Sequence, residues 1–477
     1  MPRYNQPVHL SKQALDVVSR SILNLGLNLA KSLESSASED KSMAYVDEIC
    51  RYLRDLFHNK VCRVLANEFT ATILKCIHSL YCQNWQWMTE PRCEKMLQGL
   101  VEAAVHPDIT KLDLDPIVEY IVPKVYKKMS TMTNLTELKL TYLNNEDEGL
   151  IVNGVKHLSS LKSFSFNVYC TDRIVQALAD SCSQLKCFDV CSSKTVTDLS
   201  EPSIVKFRYL EEINVSDTSL TNECLSRLLN VLAEYETKEF SILNAFHGSN
   251  ISSENLKLLV SKFPNLTQIG LKTFNQSNMS LLKNLKQMKI LRLENGSFFL
   301  IQDLLDTIGS NLSFLELMDI KDIDVNIVCN TCPNIQNLTI ASYEVYSNSP
   351  EYEISDKSLY GFKSLKKLTV FEPEDPSFMG YLLSKCINLK EVHMTVGPGF
   401  DDAMIKSVLK RNPLNNLEEF SLYSKGSNLT LNTLRNLVEH CPNLAVVRGI
   451  QSWKCTGLEE FLQQSTKLYP GVQLYRK

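Results

Sequence analysis

The sequence predicts an α/β solenoid, a coil in which a short strand and a returning helix alternate through most of the chain. Three observations predict it. Apolar residues recur in triplets at positions 1, 4 and 6 of a short phrase, as in Ile335, Leu338 and Ile340. Positions 4 and 6 share one face of a strand, because its side chains alternate with a period of two. Asn, often after Pro, precedes many triplets, as in Phe263-Pro264-Asn265, Cys332-Pro333-Asn334, Cys386-Ile387-Asn388 and Cys441-Pro442-Asn443. First positions lie 22 to 30 residues apart, which leaves room for a helix in every return.

Residues 1–107 lack this phrase and read as a small all-α domain. Leu15, Val18, Ile22, Leu25 and Leu29 recur at helical spacing, and the polar run Glu34 to Asp40 breaks the pattern. Ile49, Leu53 and Leu56 mark a second helix. Val61, Val64 and Leu65, running on to Ile73, Ile77 and Leu80, mark a third. Met96, Leu97 and Leu100 mark a fourth, which leads to His106-Pro107.

The array then runs over 108–465 as about 14 strand units. Their first positions are Ile109, Leu135, Leu161, Leu185, Leu210, Thr237, Leu266, Met288, Leu312, Ile335, Leu365, Leu389, Leu417 and Leu444. Thr237, Phe240 and Ile242 make a degenerate copy, and the last copy carries Gly449 at position 6. Helices are expected behind the caps Thr221, Ser252 and Asp401, whose side chains can accept from the orphan amides of a first turn. One repeat cannot bury its own triplet, so stacking must make the core, with a parallel sheet on the concave side. Residues 466–477, with Leu458, Phe461 and Leu462 before them, are expected to close the array as a C-terminal cap.

A chain of 477 residues exceeds one ordinary core. The net charge of −4, with 22% charged residues, provides no overall basic footprint, so no nucleic-acid partner is expected. No window approaches the roughly 18 unbroken apolar residues of a membrane helix, so no membrane partner is expected. Fifteen cysteines without a secretory apolar segment near Met1 point to free thiols in a reducing compartment, cytoplasm or nucleus. Ten Asn-X-Ser/Thr triplets occur, but several straddle the turn-to-strand step, where Asn closes a turn and Thr begins a strand.

No catalytic constellation is legible. There are eight His, with no His-Glu-x-x-His, glycine-rich phosphate loop or Gly-x-Ser-x-Gly elbow, so neither an enzyme nor a cofactor is expected. Cys329-x-x-Cys332 is one isolated pair at a helix end. It reads as packing rather than as a zinc or redox site.

Recognition is expected instead on the strand residues that alternate with the core, at positions 3, 5 and 7. These include Ile290, Arg292, Phe314, Glu316 and Met318, then Lys367, His393 and Tyr423. Ile290, Phe314 and Met318 are expected to form an apolar patch flanked by Arg292 and Glu316, a composition that interface centres favour. Loops after the later strands are expected to add an acidic, tyrosine-bearing rim from Tyr343, Glu344, Tyr346, Tyr352, Glu353, Glu372 and Asp375.

With Cys-Pro-Asn at the helix ends, the repeats over about 108–465 resemble the ribonuclease-inhibitor-like, cysteine-containing leucine-rich repeats. The resemblance implies a leucine-rich-repeat horseshoe with a parallel concave sheet and convex helices. Such repeats are common in F-box substrate receptors and related ligase adaptors. It therefore implies a non-catalytic subunit that holds a protein substrate for a cullin-RING ubiquitin ligase. The run Leu10-Ser11-Lys12-Gln13-Ala14-Leu15-Asp16-Val17-Val18 looks like the Elongin-binding box of such receptors. Leu10, Ala14 and Val18 stand at its contact positions, with Ala14 where Cys is usual, which implies Elongin C as a partner. Asp47-Glu48-Ile49, Tyr52-Leu53, Leu56 and Val61-Cys62-Arg63 are similar to part of an F-box, which implies a Skp-type adaptor instead. The alternative is a scaffold or inhibitor without ligase association, whose N-terminal helices only cap the array.

Overall fold

The structure is a computed structural model. It describes residues 10–35, 39–84, 86, 91–144, 146–235, 243–341, 345–346, 361–371, 376–397, 399–424, 426, 428–461 and 471–474. Two compact units divide the described chain, with the boundary between Leu243 and Asn244.

The first unit opens with four helices: α1 (Leu10–Ser35), α2 (Glu39–Lys60), α3 (Ala66–Gln83) and α4 (Pro91–Ala104). Their apolar stripes meet in one core. Leu15, Ile22, Leu29 and Leu33 of α1 are buried, as are Val46, Leu53 and Phe57 of α2. Phe69, Ile73 and Ile77 of α3 and Met96, Leu97 and Leu100 of α4 complete it. The Phe57 and Phe69 rings meet edge-on with centroids 4.8 Å apart.

Five parallel strands follow: β1 (Lys111–Asp113), β2 (Glu137–Leu140), β3 (Ser163–Phe166), β4 (Cys187–Asp189) and β5 (Glu212–Asn214). They stand in register, so that Leu112, Leu138, Phe164, Phe188 and Ile213 form one buried row. At the start of each strand two amides share one carbonyl of the strand before; Thr136 N and Glu137 N both donate to Thr110 O, at 2.8 and 3.0 Å. The first strand has no preceding repeat. Asn67 of α3 takes that role: its Oδ1 accepts from Thr110 N at 2.8 Å and Lys111 N at 3.1 Å. A side-chain amide here substitutes for the missing backbone carbonyl, which satisfies donors that a bare edge would leave open.

The second unit repeats the plan with β6 (Ala245–Ser249), β7 (Gln268–Lys272), β8 (Ile290–Ser297) and β9 (Phe314–Lys321). Next come β10 (Ile323–Asp324), β11 (Asn337–Ala341), β12 (Val345–Tyr346) and β13 (Lys367–Phe371). It ends with β14 (Glu391–Val396), β15 (Glu419–Ser424), β16 (Val446–Arg448) and β17 (Gln473–Leu474). All but β10 and β12 lie in one parallel ladder in chain order; those two pair separately with each other. Thus the fold is an α/β solenoid of the leucine-rich-repeat type.

Of the fourteen expected triplets, thirteen fall on described residues, and their apolar members are 0 to 6% exposed. The fourteenth, Thr237, Phe240 and Ile242, lies outside the described residues. The strand that pairs with β7 is instead Ala245–Ser249, and its triplet is Leu243, Phe246 and Gly248. Gly248 stands opposite Leu271, and a β-carbon there would lie 2.9 Å from the Phe246 ring. Phe246 therefore fills the space that an apolar sixth residue would take. At the C-terminal end β17 adds a strand beyond the last expected triplet, and Trp453 Nε1 donates to Leu422 O at 2.9 Å. Leu462 and 466–470 lie outside the described residues.

The cysteines are free thiols. Cys170, Cys182, Cys224, Cys332, Cys386 and Cys441 are buried within the repeats, whereas Cys62 and Cys82 are exposed. Burial pushes the thiols of Cys182 and Cys224 up to about 12 and that of Cys332 up to about 11. Among the described residues no helix is long and apolar enough to cross a membrane.

Candidate functional site

Strand alternation that buries positions 4 and 6 leaves positions 3, 5 and 7 on the face of the sheet opposite the helices. In the second unit the register places Ile290 beside Phe314, Arg292 beside Glu316 and Glu294 beside Met318. All six are half-buried. The Arg292 guanidinium donates from Nε to Glu316 Oε2 at 3.2 Å and lies 4.9 Å from the Phe314 ring centre. The ion pair runs between the apolar groups rather than beside them, with Ile290 and Phe314 on one side and Met318 on the other. The guanidinium thus braces the aromatic ring through a cation–π contact while it pairs with the carboxylate.

Further along, Lys367 Nζ pairs with Glu391 Oε2 at 2.8 Å, and His393 Nε2 lies 3.8 Å from the same oxygen. Tyr423 stands 40% exposed near the end of its strand. Arg448 Nε donates to Glu419 Oε1 at 2.7 Å. Glu419's carboxyl is desolvated, which works upward, but the donors Arg448 and Ser421 hold it below its ordinary value.

One participant in this face was not anticipated. His247 of β6 lies over Gly270, two strands from Arg292 in the same row. Gln268 Nε2 donates to His247 Nε2 at 2.6 Å. A β-carbon at Gly270 would fall 2.0 Å from His247 Nδ1, so only glycine admits the ring. Burial first, then the charge of Arg292, lower the His247 pKa to about 4, which keeps the ring neutral near pH 7. The signal available in the sequence was Gly270 at position 5, where other copies carry a side chain.

The acidic rim lies outside the described residues: Tyr343, Glu344, Tyr352, Glu353, Glu372 and Asp375 are not among them. Of Tyr346 only its backbone pairing to Asp324 is described. The Cys329 and Cys332 pair ends a helix, Val325–Thr331, with Cys332 buried and Cys329 half-buried. Among the described residues no group of three or more metal-ligating side chains converges.

In the first unit α1 is one uninterrupted 26-residue helix. Ala14 and Val17 face outward, Val17 at 63% exposure, and Val18 is half-buried. Ala14 and Val17 lie off the buried stripe of Leu15, Ile22, Leu29 and Leu33, whereas Val18, one turn from Ile22, flanks it. The Leu10 side chain lies outside the described residues. On α2, Tyr45, Tyr52 and Leu56 also stand exposed, at i, i+7 and i+11.

No protein-family model matches the sequence, and no curated protein matches it. Among solved structures it is similar to the yeast Rad7 and Elc1 complex, at 14% identity over 98% of each chain with a TM-score of 0.41. It is also similar to the TLR13–ssRNA13 complex, at 14% identity, a TM-score of 0.31, and coverage of 78% of this chain and 65% of that one. The Drosophila Toll–Spatzle complex aligns at 12% identity with a TM-score of 0.30, over 68% of this chain and 48% of that one.

Proposed function

We propose that this chain is a non-catalytic recognition subunit of a cullin-RING ubiquitin ligase, working in the cytoplasm or nucleus. The outward face of α1 docks in the groove of an Elongin C-type adaptor, and the open face of the second unit's sheet holds the protein substrate. The observation that carries the reading is the exposure of Ala14, one of the three box positions, and of its neighbour Val17 in the same run. Ala14 and Val17 are exposed on a helix whose core contacts are made by another stripe. The exposed face of α1 is otherwise polar, with Gln13, Asp16 and Arg20, so Ala14 and Val17 are the apolar contacts it offers to a groove. Aromatic and arginine anchors on the open face, Phe314 and Arg292, suit the substrate role.

The test is direct binding of the purified chain to recombinant Elongin C by calorimetry. A complex is expected for the natural sequence, and Val17→Asp should abolish it while leaving circular dichroism and the melting temperature unchanged. Leu10→Asp together with Val18→Asp should also abolish it, with a lower melting temperature because Val18 is half-buried beside the core stripe. Absence of a complex with either Elongin C or a Skp-type adaptor overturns the ligase assignment. Binding to a Skp-type adaptor alone, lost in Tyr52→Asp, would favour the F-box-like reading that exposed Tyr45, Tyr52 and Leu56 support.

A further inference from the structure

A cleft of about 560 Å³ opens in the first unit, and no residue of α1 lines it. Glu94 of α4 forms one wall, the turn carrying Glu119, Tyr120 and Lys124 another, and the approach to the helix Glu148–Val155 a third. Asp147 sits in this third wall and is 4% exposed. Its Oδ2 is buried and, among the described residues, has no hydrogen-bond partner. Burial raises the Asp147 pKa, against a backbone hydrogen bond from Asn144 to the carboxyl group and then the charges of Lys127 and Lys124. Lys124, one of the two lysines lining the cleft, is already engaged. Lys124 Nζ donates to Glu94 Oε1 at 3.3 Å and to Tyr120 O at 3.2 Å, and lies 3.9 Å from the Tyr120 ring centre.

A buried carboxylate oxygen without a donor is costly to a fold, and a cleft that leads to it can accept a donor from outside. The acids on the walls, Glu94, Glu119, Glu146 and Asp147, outnumber Lys124 and Lys127, so a cation is favoured. A metal ion is disfavoured, since no group of three or more metal-ligating side chains converges among the described residues. The remaining cation class is a protonated side chain. A guanidinium suits the cleft better than an ammonium, because its planar fork reaches a buried oxygen while its other donors meet the rim acids, and its face can lie on a tyrosine such as Tyr142.

We propose that this cleft is a binding site for an arginine side chain of a protein partner, with Asp147 as the buried acceptor. The site is independent of whether an adaptor binds at α1.

The probe is N-acetyl-arginine amide, titrated against the full chain and followed by carbon NMR of the Asp carboxyl groups and by amide shifts around Tyr142 and Leu150. Saturable shifts are expected with the arginine probe and not with the uncharged citrulline analogue. N-acetyl-lysine amide should bind more weakly than the arginine probe. Asp147→Asn should weaken arginine binding by at least about tenfold, the loss that follows from removing a charge-assisted hydrogen bond. With no buried charge left unpaired, the same variant should melt no lower than the natural chain. Should Asp147→Asn fail to fold, Glu119→Gln on the exposed rim must still weaken arginine binding. The proposal is overturned if the arginine probe gives no saturable shift, if citrulline or lysine binds as well, or if the folded variants bind arginine as tightly as the natural chain.

Discussion

His247 shows how one position can tie a fold to pH. Its ring is held against Gly270 and bonded by Gln268, in the neutral form. Unfolded, it would titrate near the ordinary 6.5; folded, it titrates at about 4. Between those values the unfolded chain binds more protons, so the group's contribution is fully present above about pH 6.5 and is lost as pH falls toward 4. The size is up to about 3 kcal/mol, since each tenfold difference in proton affinity between the two states is worth about 1.4 kcal/mol. Urea unfolding at a series of pH values should show the midpoint falling across this window, and His247→Gln should remove that part of the slope. His58 titrates in the same direction, lowered by burial and then by His106, so the difference between natural chain and variant isolates His247. In the sequence only Gly270 at position 5 pointed to this, since His247 stands in no expected strand. Ala14 was the opposite case, since helical spacing alone sets it to one side of Leu15, Ile22 and Leu29.

The returning helices are fastened to one another by a device that recurs. Thr221, Ser252 and Asp401 cap their helices as their side-chain chemistry led one to expect, accepting from Cys224 N, Asn255 N and Met404 N respectively. A second contact joins repeats. Asp198, one residue past the Thr197 cap, accepts from Thr221 N and Thr221 Oγ1, both at 2.8 Å. Asp172 does the same for Thr197, and Asp402 for Thr430. Each carboxylate thus holds the cap of the following helix. For Asp402, burial works upward, but the donors of Thr430 and Thr433 hold its carboxyl below the ordinary range. Asp402→Ala should cost about 2 kcal/mol, as several donors lose one charged acceptor, and chemical denaturation would measure it. Caps are local and can be recognised from a few neighbouring residues. The clamp joins residues 23 to 28 apart, and the chain has many acids at similar spacing, so only coordinates single out the right ones.

At the scale of each unit, the ladder was legible because every copy must present the same buried row to the next, which leaves little choice at positions 4 and 6. Where a copy departs from that rule, reading fails. Phe246 beside Gly248 divides the volume unevenly, so the regular beat was sought a few residues too early, at Thr237. Asn67 was hidden for another reason: it imitates backbone, and no side-chain pattern advertises that. The open face lay between these extremes. Its rows follow from alternation, yet the placement of Arg292 and Glu316 between Ile290, Phe314 and Met318 depends on register with neighbouring strands.

The buried thiols carry a practical consequence. A maleimide reacts only with thiolate that solvent can reach, so Cys62 and Cys82 should be modified at once, while Cys170, Cys182, Cys224, Cys332, Cys386 and Cys441 wait for their own coil to breathe. Mass spectrometry of timed samples would then date each opening separately. Staggered half-lives along the chain are expected, since each coil depends mainly on its neighbours; one shared half-life would mean all-or-none melting instead. The molecule has its own set of chemical clocks, spaced along its length without any engineered label.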